Sequence, residues 1–414
     1  MSNKYKNKPH KEMTNLQSNQ TKSMEPLTCA SLPHSLSAFV DAFVDFSVGG
    51  LFLPPSASSA TSPSLPPSRL PPASRLVAIG DLHGDFHKTI QSLSLAGLVD
   101  PASLRWIGGS SVAVQVGDVL DRGGDELRIL YLIRRLQTEA ERSGGRLMML
   151  NGNHETMNVA RNFRYITLAG LEEFKNWAKW YRAGLAMKQL CPDLPRPKDP
   201  FKGVPKSFPG VKPEYWDGFH ARIAALQPAG PITTRFLSGN HTILIVGDSV
   251  FVHGGLLRKH VEYGLDRINR DVRSWMTVNE PKLPMFVFDR DAVVWLRAFS
   301  DGFNCDCTQL QEVLSLIPGA RRMVMGHTIQ TEGINAVCGD QAVRVDVGLS
   351  KGCGDGVPEV LEITGGGKEV RILTASWNRV YEGRKQAWER KENVEGLAWL
   401  VRESSRVKGV ETKA

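Results

Sequence analysis

Between Arg75 and Thr374 the chain is a succession of short apolar runs, most of which stop at a glycine beside a carboxylate, amide or imidazole. RLVAIGD ends at Gly80-Asp81, SVAVQVGD at Gly117-Asp118 and GRLMMLNGN at Gly152-Asn153. SVFVHGG ends at His253, and RRMVMGH at Gly326-His327. TILIVGD, QAVRVDVG, PEVLEIT and EVRILT complete the series. Runs of this length without strict alternation suit strands buried on both faces. Between the early runs lie helical patterns such as DELRILYLIRRLQTEAERS (125–143), so the first third reads βαβαβ. The expected class is α/β, and in such sheets the carboxyl ends of the strands line one crevice.

Taken singly these strand ends mean little. A Gly-Asp or Asn-Gly pair is ordinary turn chemistry, and a lone histidine is usually a satisfied polar group. Five ends that together carry Asp81, His83, Asp118, Asn153, His253 and His327 are a different observation. Imidazole and carboxylate suit Mn, Fe or Zn, and glycine lets the backbone approach an ion closely. The set reads as a metal site.

The flanks constrain less. Residues 1–30 are polar and lysine-rich without an apolar leader core, so a disordered extension is expected and a secretory signal is not. In LSAFVDAFVDFSV (36–48), Leu36, Phe39, Val40, Phe43 and Val44 recur at helical spacing, predicting a docking helix within 31–55. Residues 56–74 are Pro/Ser-rich and read as a linker. The main domain is expected at 75–375, interrupted by a helical insertion at 171–240. There LEEFKNWAKWYRAGLAMKQL (171–190) sets Leu171, Phe174, Trp177 and Tyr181 on one side; such an insertion either caps a site or packs on the surface. The charged tail, 376–414, is expected to be a peripheral helix or disordered.

No apolar stretch reaches the roughly 18 residues that suggest a membrane span. The net charge is +8, but the basic residues are scattered without interleaved aromatics. Nucleic acid is therefore not an expected partner, whereas a small anionic group such as phosphate is.

GDLHG, GDVLDRG, GNHE, HGG and GH, in that order, resemble the motif series of the PPP phosphoprotein phosphatases: GDxHG, GDxVDRG, GNHE, HG and GH. The resemblance covers residues 76–364, and its one change, leucine for valine in GDVLDRG, alters little. The finer wording is similar to the Shewanella-like protein phosphatases, of the plant type that carries a CDC and further cysteines. LSAFVDAFVD, GDVLDRGGDE, FVHGGLL, VVWLRAFS, MVMGHTIQ and VDVGLSKG carry that likeness.

The resemblance implies a calcineurin-like metallophosphoesterase β-sandwich flanked by helices, two divalent metal ions (Mn, Fe or Zn) and phosphoprotein substrates. It implies that Asp81 and His83 hold one metal, that Asn153, His253 and His327 hold the other, and that Asp118 bridges both. Arg122 of the DRG triplet is expected to grip the phosphate beside Asn153, with Arg297 of WLRAF as the second arginine. His154 is expected to be the general acid, oriented by Asp121, with Glu155 supporting the ligands from behind. His87 stands four residues after His83, a possible HxxxH pair, but is not expected to ligate. The SAPNYC loop of the eukaryotic Ser/Thr enzymes is replaced by VDVGLSKGCGDG (345–356), which implies resistance to their natural toxin inhibitors.

The chemistry of such a site is self-consistent. Two divalent ions about 3.5–4 Å apart make a bridging water available as hydroxide for direct in-line attack on phosphorus. Arginine forks neutralise the equatorial oxygens, and His154 protonates the departing oxygen. A dinucleoside polyphosphate hydrolase, with the same ligands, is the alternative within catalysis. An open basic groove favours phosphopeptides, and a closed aromatic pocket favours nucleotides. A catalytically dead phosphoprotein-binding scaffold is the reading from another class, and it predicts a lost ligand or a lost His154, neither of which is lost.

The six cysteines are Cys29, Cys191, Cys305, Cys307, Cys338 and Cys353. Free thiols in a reducing cytoplasm, a redox bridge among Cys305, Cys307, Cys338 and Cys353, and a zinc site all remain open. Bridges would point to an oxidoreductase partner and to a compartment such as the mitochondrial intermembrane space.

Overall fold

The computed structural model describes residues 29, 33–53, 67–194, 198–278, 283–302 and 305–375, together with the backbone of 389–392. The apolar runs are strands, as their β-branched composition dictates. Before them come α1 (Pro33–Gly49) and a two-residue strand, β1 (Arg69–Leu70). Then follow β2 (Arg75–Ile79), α2 (Phe86–Leu95), the small hairpin β3 (Val99–Asp100) and β4 (Arg105–Trp106), and β5 (Val112–Gln115). Next are α3 (Glu126–Arg142), β6 (Arg146–Met149), α4 (Asn153–Val159), α5 (Leu168–Gln189) and α6 (Trp216–Leu226). The second half brings β7 (Ile243–Val246), β8 (Ser249–Val252), α7 (Arg258–Tyr263), α8 (Leu265–Thr277) and α9 (Cys307–Ser315). It ends with β9 (Arg322–Met325), β10 (Asn335–Val337), β11 (Ala342–Arg344), β12 (Glu359–Thr364), β13 (Glu369–Thr374) and β14 (Glu389–Glu392).

Two six-stranded sheets form a sandwich: β14-β13-β12-β2-β5-β6 and β1-β7-β8-β9-β11-β10. In the first, β2, β5 and β6 run parallel, with Ala78 level with Val114 and Val114 level with Met148. In the second, β8, β9 and β11 run parallel. Every residue of β7, β8, β9 and β11 is buried, which is why these runs show no alternation. Six parallel strands from two sheets therefore present their carboxyl ends to one rim.

Three expectations are corrected. Residues 69–70, inside the expected linker, form β1, an edge strand parallel to β7 with Arg69 opposite Ile245. Pro71 and Pro72 stop it there, because proline has no N–H to continue a ladder. In the tail, residues 389–392 pair parallel with β13 as a strand rather than a helix. The remainder of that tail, residues 1–28 and most of the linker lie outside the described residues.

The third concerns α1, whose expected apolar stripe faces inward except at Phe39. Val40 and Val44 are buried, whereas Phe39 is 64% exposed. The helix is turned so that Asp45 goes inward to form a bidentate ion pair with Arg235. Phe43 meets Trp180 of α5 edge-on at 5.7 Å. In α5, Leu171, Phe174 and Trp177 are buried as expected, and Tyr181 stacks on Trp177 at 4.9 Å.

Candidate active site

Short loops at the ends of β2, β5, β6, β8 and β9 bring Asp81, His83, Asp118, Asn153, His154, His253 and His327 to the same rim, all of them buried. The loops are not relaxed. His83, Asp118, Asp121, Arg122 and His327 all take left-handed backbone conformations, with φ between 42° and 67°. Non-glycine residues rarely adopt these at about 1–3 kcal/mol each, and they persist where the surroundings over-determine them.

Glu155 is what over-determines the loop after β5. One of its carboxylate oxygens accepts from the N–H of Asp118 (2.9 Å) and of Gly152 (2.8 Å). The other accepts from Val119 (2.9 Å) and Leu120 (3.1 Å). Gly152 has to be glycine, because a Cβ there would collide with Asp118 Oδ1. Changing Glu155 to Gln puts an amide N–H against some of these four donors. Each buried donor left unsatisfied costs about 1–3 kcal/mol, so a loss of roughly 3 kcal/mol is expected in denaturant unfolding. A loss well under 1 kcal/mol would show that the clamp is dispensable.

Around Asp118 the ligand atoms form two groups, each spanning no more than 4.8 Å. Asp118, His253 and His327 make one; Asp118, His83 and His154 make the other. Asp118 Oδ2 lies 3.1 Å from His253 Nε2 and 3.7 Å from His83 Nε2. Asn153 Oδ1 is 2.9 Å from His253 Nε2. His83 and His253 have Nδ1 2.9 Å from the carbonyls of Leu120 and Val116 respectively. In His83 that contact makes Nδ1 the protonated nitrogen and leaves Nε2 as a lone pair facing the crevice. Asp81 sits slightly aside, accepting from the His327 N–H at 3.2 Å.

This donor set fits divalent cations. His327 Nε2 is buried with no hydrogen-bond partner. Burial holds His327 at about 2 and His83 at about 4, so both rings are neutral. Burial, followed by the nearby Asp346 and Asp118 carboxylates, pushes Asp81 well above the usual carboxylate range. Buried acids crowding one another beside the neutral rings of His83 and His327 make a place for the positive charge that metal ions would supply.

Beside this cluster stands a carboxylate–imidazole pair. His154 Nδ1 is 2.7 Å from Asp121 Oδ2, and the His154 N–H donates to Asp118 Oδ1 at 2.9 Å. Burial pulls His154 down, but the Asp118 charge and the Asp121 hydrogen bond outweigh it and hold the ring above its usual range. The crevice has a volume of about 270 Å³ and is lined by His83, Asp118, Asn153, His154 and His327 with Arg122, Arg297, Tyr165, Trp295, Ile329 and Asp346. Arg297 is anchored by its Nη1 to the His327 carbonyl (2.9 Å) and Thr328 Oγ1 (2.8 Å). Arg122 lies 5.0 Å from the Tyr165 ring centroid, and its Nη1 reaches Cys353 Sγ at 3.5 Å.

The sequence reading missed Asp346 and Tyr165. Asp346 stands just after β11, in VDVG, and repeats the strand-end pattern, so a signal for it existed. Tyr165 lies in an irregular loop and carried none. His87 is exposed on α2 and takes no part. The described residues of the insertion, 171–240, contribute nothing to the lining. Its helices instead pack behind the crevice.

The cysteines also rearrange the expectation. Cys307 is bonded to Cys338, with Cys305 Sγ 3.3 Å from Cys338 Sγ, but Cys353 lies apart against Arg122. Cys191 is bonded to Cys29. Among the described residues, no helix is long and apolar enough to cross a membrane.

Comparisons with known proteins agree with this geometry. Residues 74–330 match the calcineurin-like phosphoesterase family. The chain is 52% identical over 379 residues to Shewanella-like protein phosphatase 2 of Arabidopsis thaliana, covering 90% of this chain and 95% of that one. Shewanella-like protein phosphatase 1 of Plasmodium berghei is 27% identical over 285 residues, 67% of each chain. Among solved structures, the cold-active protein-tyrosine phosphatase of a psychrophilic Shewanella species superposes with a TM-score of 0.53 at 18% identity, covering 76% of this chain and 82% of that one.

Proposed function

The chain belongs to the calcineurin-like phosphoesterases, and among them to the Shewanella-like protein phosphatases; on that footing we propose that it hydrolyses phosphate monoesters on proteins with the help of two divalent ions. The observation that carries the reading is Asp118, a single buried carboxylate that stands between His83 on one side and His253 and His327 on the other, beside two arginines and a carboxylate-held histidine. Asp81, His83 and Asp118 would hold one ion, and Asp118, Asn153, His253 and His327 the other. When bound, the ions draw charge from the phosphoryl group and make water nucleophilic at neutral pH.

The chain's own residues do the rest. Arg122 and Arg297 line the crevice with forked donors that match the equatorial phosphate oxygens. Asp121 keeps the proton of His154 on Nδ1 and fixes the ring, so Nε2 is the atom that delivers a proton to the leaving oxygen. The negative charge that develops on that oxygen is removed as the bond breaks. The ligand types suit Mn, Fe or Zn, and affinity order together with supply in the cell decides among them. The two cystines speak for an oxidising compartment over the cytoplasm, where an oxidoreductase partner would form them.

A dinucleoside polyphosphate is the weaker candidate. The crevice is mostly polar, and its roughly 270 Å³ suits one phosphate with the start of one side chain. The test is Mn²⁺-supported phosphate release from matched phosphoserine, phosphothreonine and phosphotyrosine peptides, with diadenosine tetraphosphate alongside. Release from at least one peptide and not from the dinucleotide is the expected result. Turnover of the dinucleotide alone would move the enzyme to nucleotide clearance, and turnover of none would return the scaffold reading.

A further inference from the structure

Beneath the His154–Asp121 pair lies a charged group that the reaction as described does not use. Arg222, on α6 of the insertion, is fully buried. Its Nη2 donates to Asp121 Oδ1 at 2.8 Å, the carboxylate oxygen that His154 leaves free. The same guanidinium holds both oxygens of Glu126, Nη1 to Oε1 at 2.8 Å and Nη2 to Oε2 at 2.7 Å. Glu126 Oε2 in turn accepts the Asp121 N–H at 3.0 Å. On the other side, Arg222 Nε donates to Asn158 Oδ1 at 2.8 Å, and Asn158 Nδ2 donates to the His154 carbonyl at 2.9 Å.

These bonds close a ring that touches the pair at three points: the Asp121 carboxylate, the Asp121 N–H and the His154 carbonyl. Asp121 is itself in a left-handed conformation, with φ of 67°, so it needs external restraint to hold one position. The Phe174 ring, 4.6 Å from the guanidinium carbon, fixes the plane of the fork. A lysine in this place would carry the charge but could not hold four acceptor oxygens with one planar fork.

We propose that Arg222 is a positioning residue for proton delivery: it aims the Asp121 carboxylate, and through it His154, at the leaving oxygen. The insertion therefore serves the reaction from behind the crevice, by supplying a buried cation. This inference rests on the reading of His154 as the proton donor.

A merely structural ring and a positioning ring make different predictions. If Arg222 only holds α6 in place, its loss lowers turnover of every substrate alike. If it aims His154, the loss falls on substrates whose leaving group needs the proton. The readout is the ratio of kcat/KM for phenyl phosphate to that for p-nitrophenyl phosphate at saturating Mn²⁺, because nitrophenolate departs with little help. The ratio cancels the fraction of folded enzyme. For Arg222→Lys it is expected to fall roughly tenfold, at the low end of what outer-shell partners contribute.

Asn158→Leu removes both the Arg222 Nε contact and the bond to the His154 carbonyl while the guanidinium keeps Asp121 and Glu126, and the ratio is expected to fall in the same direction by a smaller factor. It serves as the deciding variant if Arg222→Lys yields no folded protein. His154→Ala is the reference. If His154→Ala lowers the ratio and the folded ring variants keep the wild-type value, the Arg222 inference fails alone. If His154→Ala keeps the wild-type ratio, the proton-donor reading fails and takes the inference with it.

Discussion

Replacing Asp118 with Asn is expected to lower phosphate release by roughly 10³-fold or more, since even one preorganised hydrogen-bond donor in an active site is worth about 10²–10³. The reason is position. Asp118 Oδ2 lies 3.1 Å from His253 Nε2, 3.7 Å from His83 Nε2 and 3.8 Å from His154 Nε2, and the carboxylate belongs to both ligand groups. An amide of the same shape still accepts the His154 N–H, so the loop after β5 keeps its form. What is lost is the charge that two cations would share. Two measurements separate this from unfolding. Metal content per chain should fall, and the rise in Tm on adding Mn²⁺ to chelated wild type should be absent in the variant, because a ligand stabilises only the state that binds it. A variant that keeps its metals and its Tm shift would remove Asp118 from the bridging position.

Replacing His154 with Ala is expected to leave metal content unchanged and to slow phosphate esters with poor leaving groups by about 10²–10⁴-fold, the range for positioned acid catalysis. Its ring is held by Asp121 at 2.7 Å and faces the crevice beside Asp118. p-Nitrophenyl phosphate should lose far less, since its leaving group needs no proton. An equal loss on both substrates would mean that His154 acts on phosphate binding or on the loop instead. The loop is a real alternative route, because the His154 backbone also donates to Asp118. For that reason the comparison between leaving groups decides the matter, and the absolute rate does not.

The residues that sequence could place are those whose geometry is local. Asp81, His83, Asp118, Asn153, His253 and His327 each lie within a few residues of a strand end, and a parallel strand delivers its carboxyl end to the rim whatever surrounds it. Glu155 was legible for the same reason, sitting two residues beyond Asn153 at the start of α4. Arg222 was not, because the 101 residues separating it from Asp121 carry no pattern that reveals the meeting. A basic residue in an amphipathic helix ordinarily reads as a solvated one.

The α1 stripe departed from expectation at Phe39 through a related effect. Apolar spacing located the helix, but the buried pair of Asp45 with Arg235 set its rotation and left Phe39 outside. The strand β1 was hidden by its length, since two residues between prolines show no period. In each case the missing information was a partner distant in the chain.

The central claim is that one crevice works through two ions held by this chain. It is tested most directly by titrating chelated protein with Mn²⁺ while recording bound metal per chain and phosphate release from a phosphopeptide. Release is predicted to be absent from the chelated protein and to rise with occupancy to a plateau at about two ions per chain. Release that survives complete chelation, or a plateau reached with a single bound ion, would contradict the account.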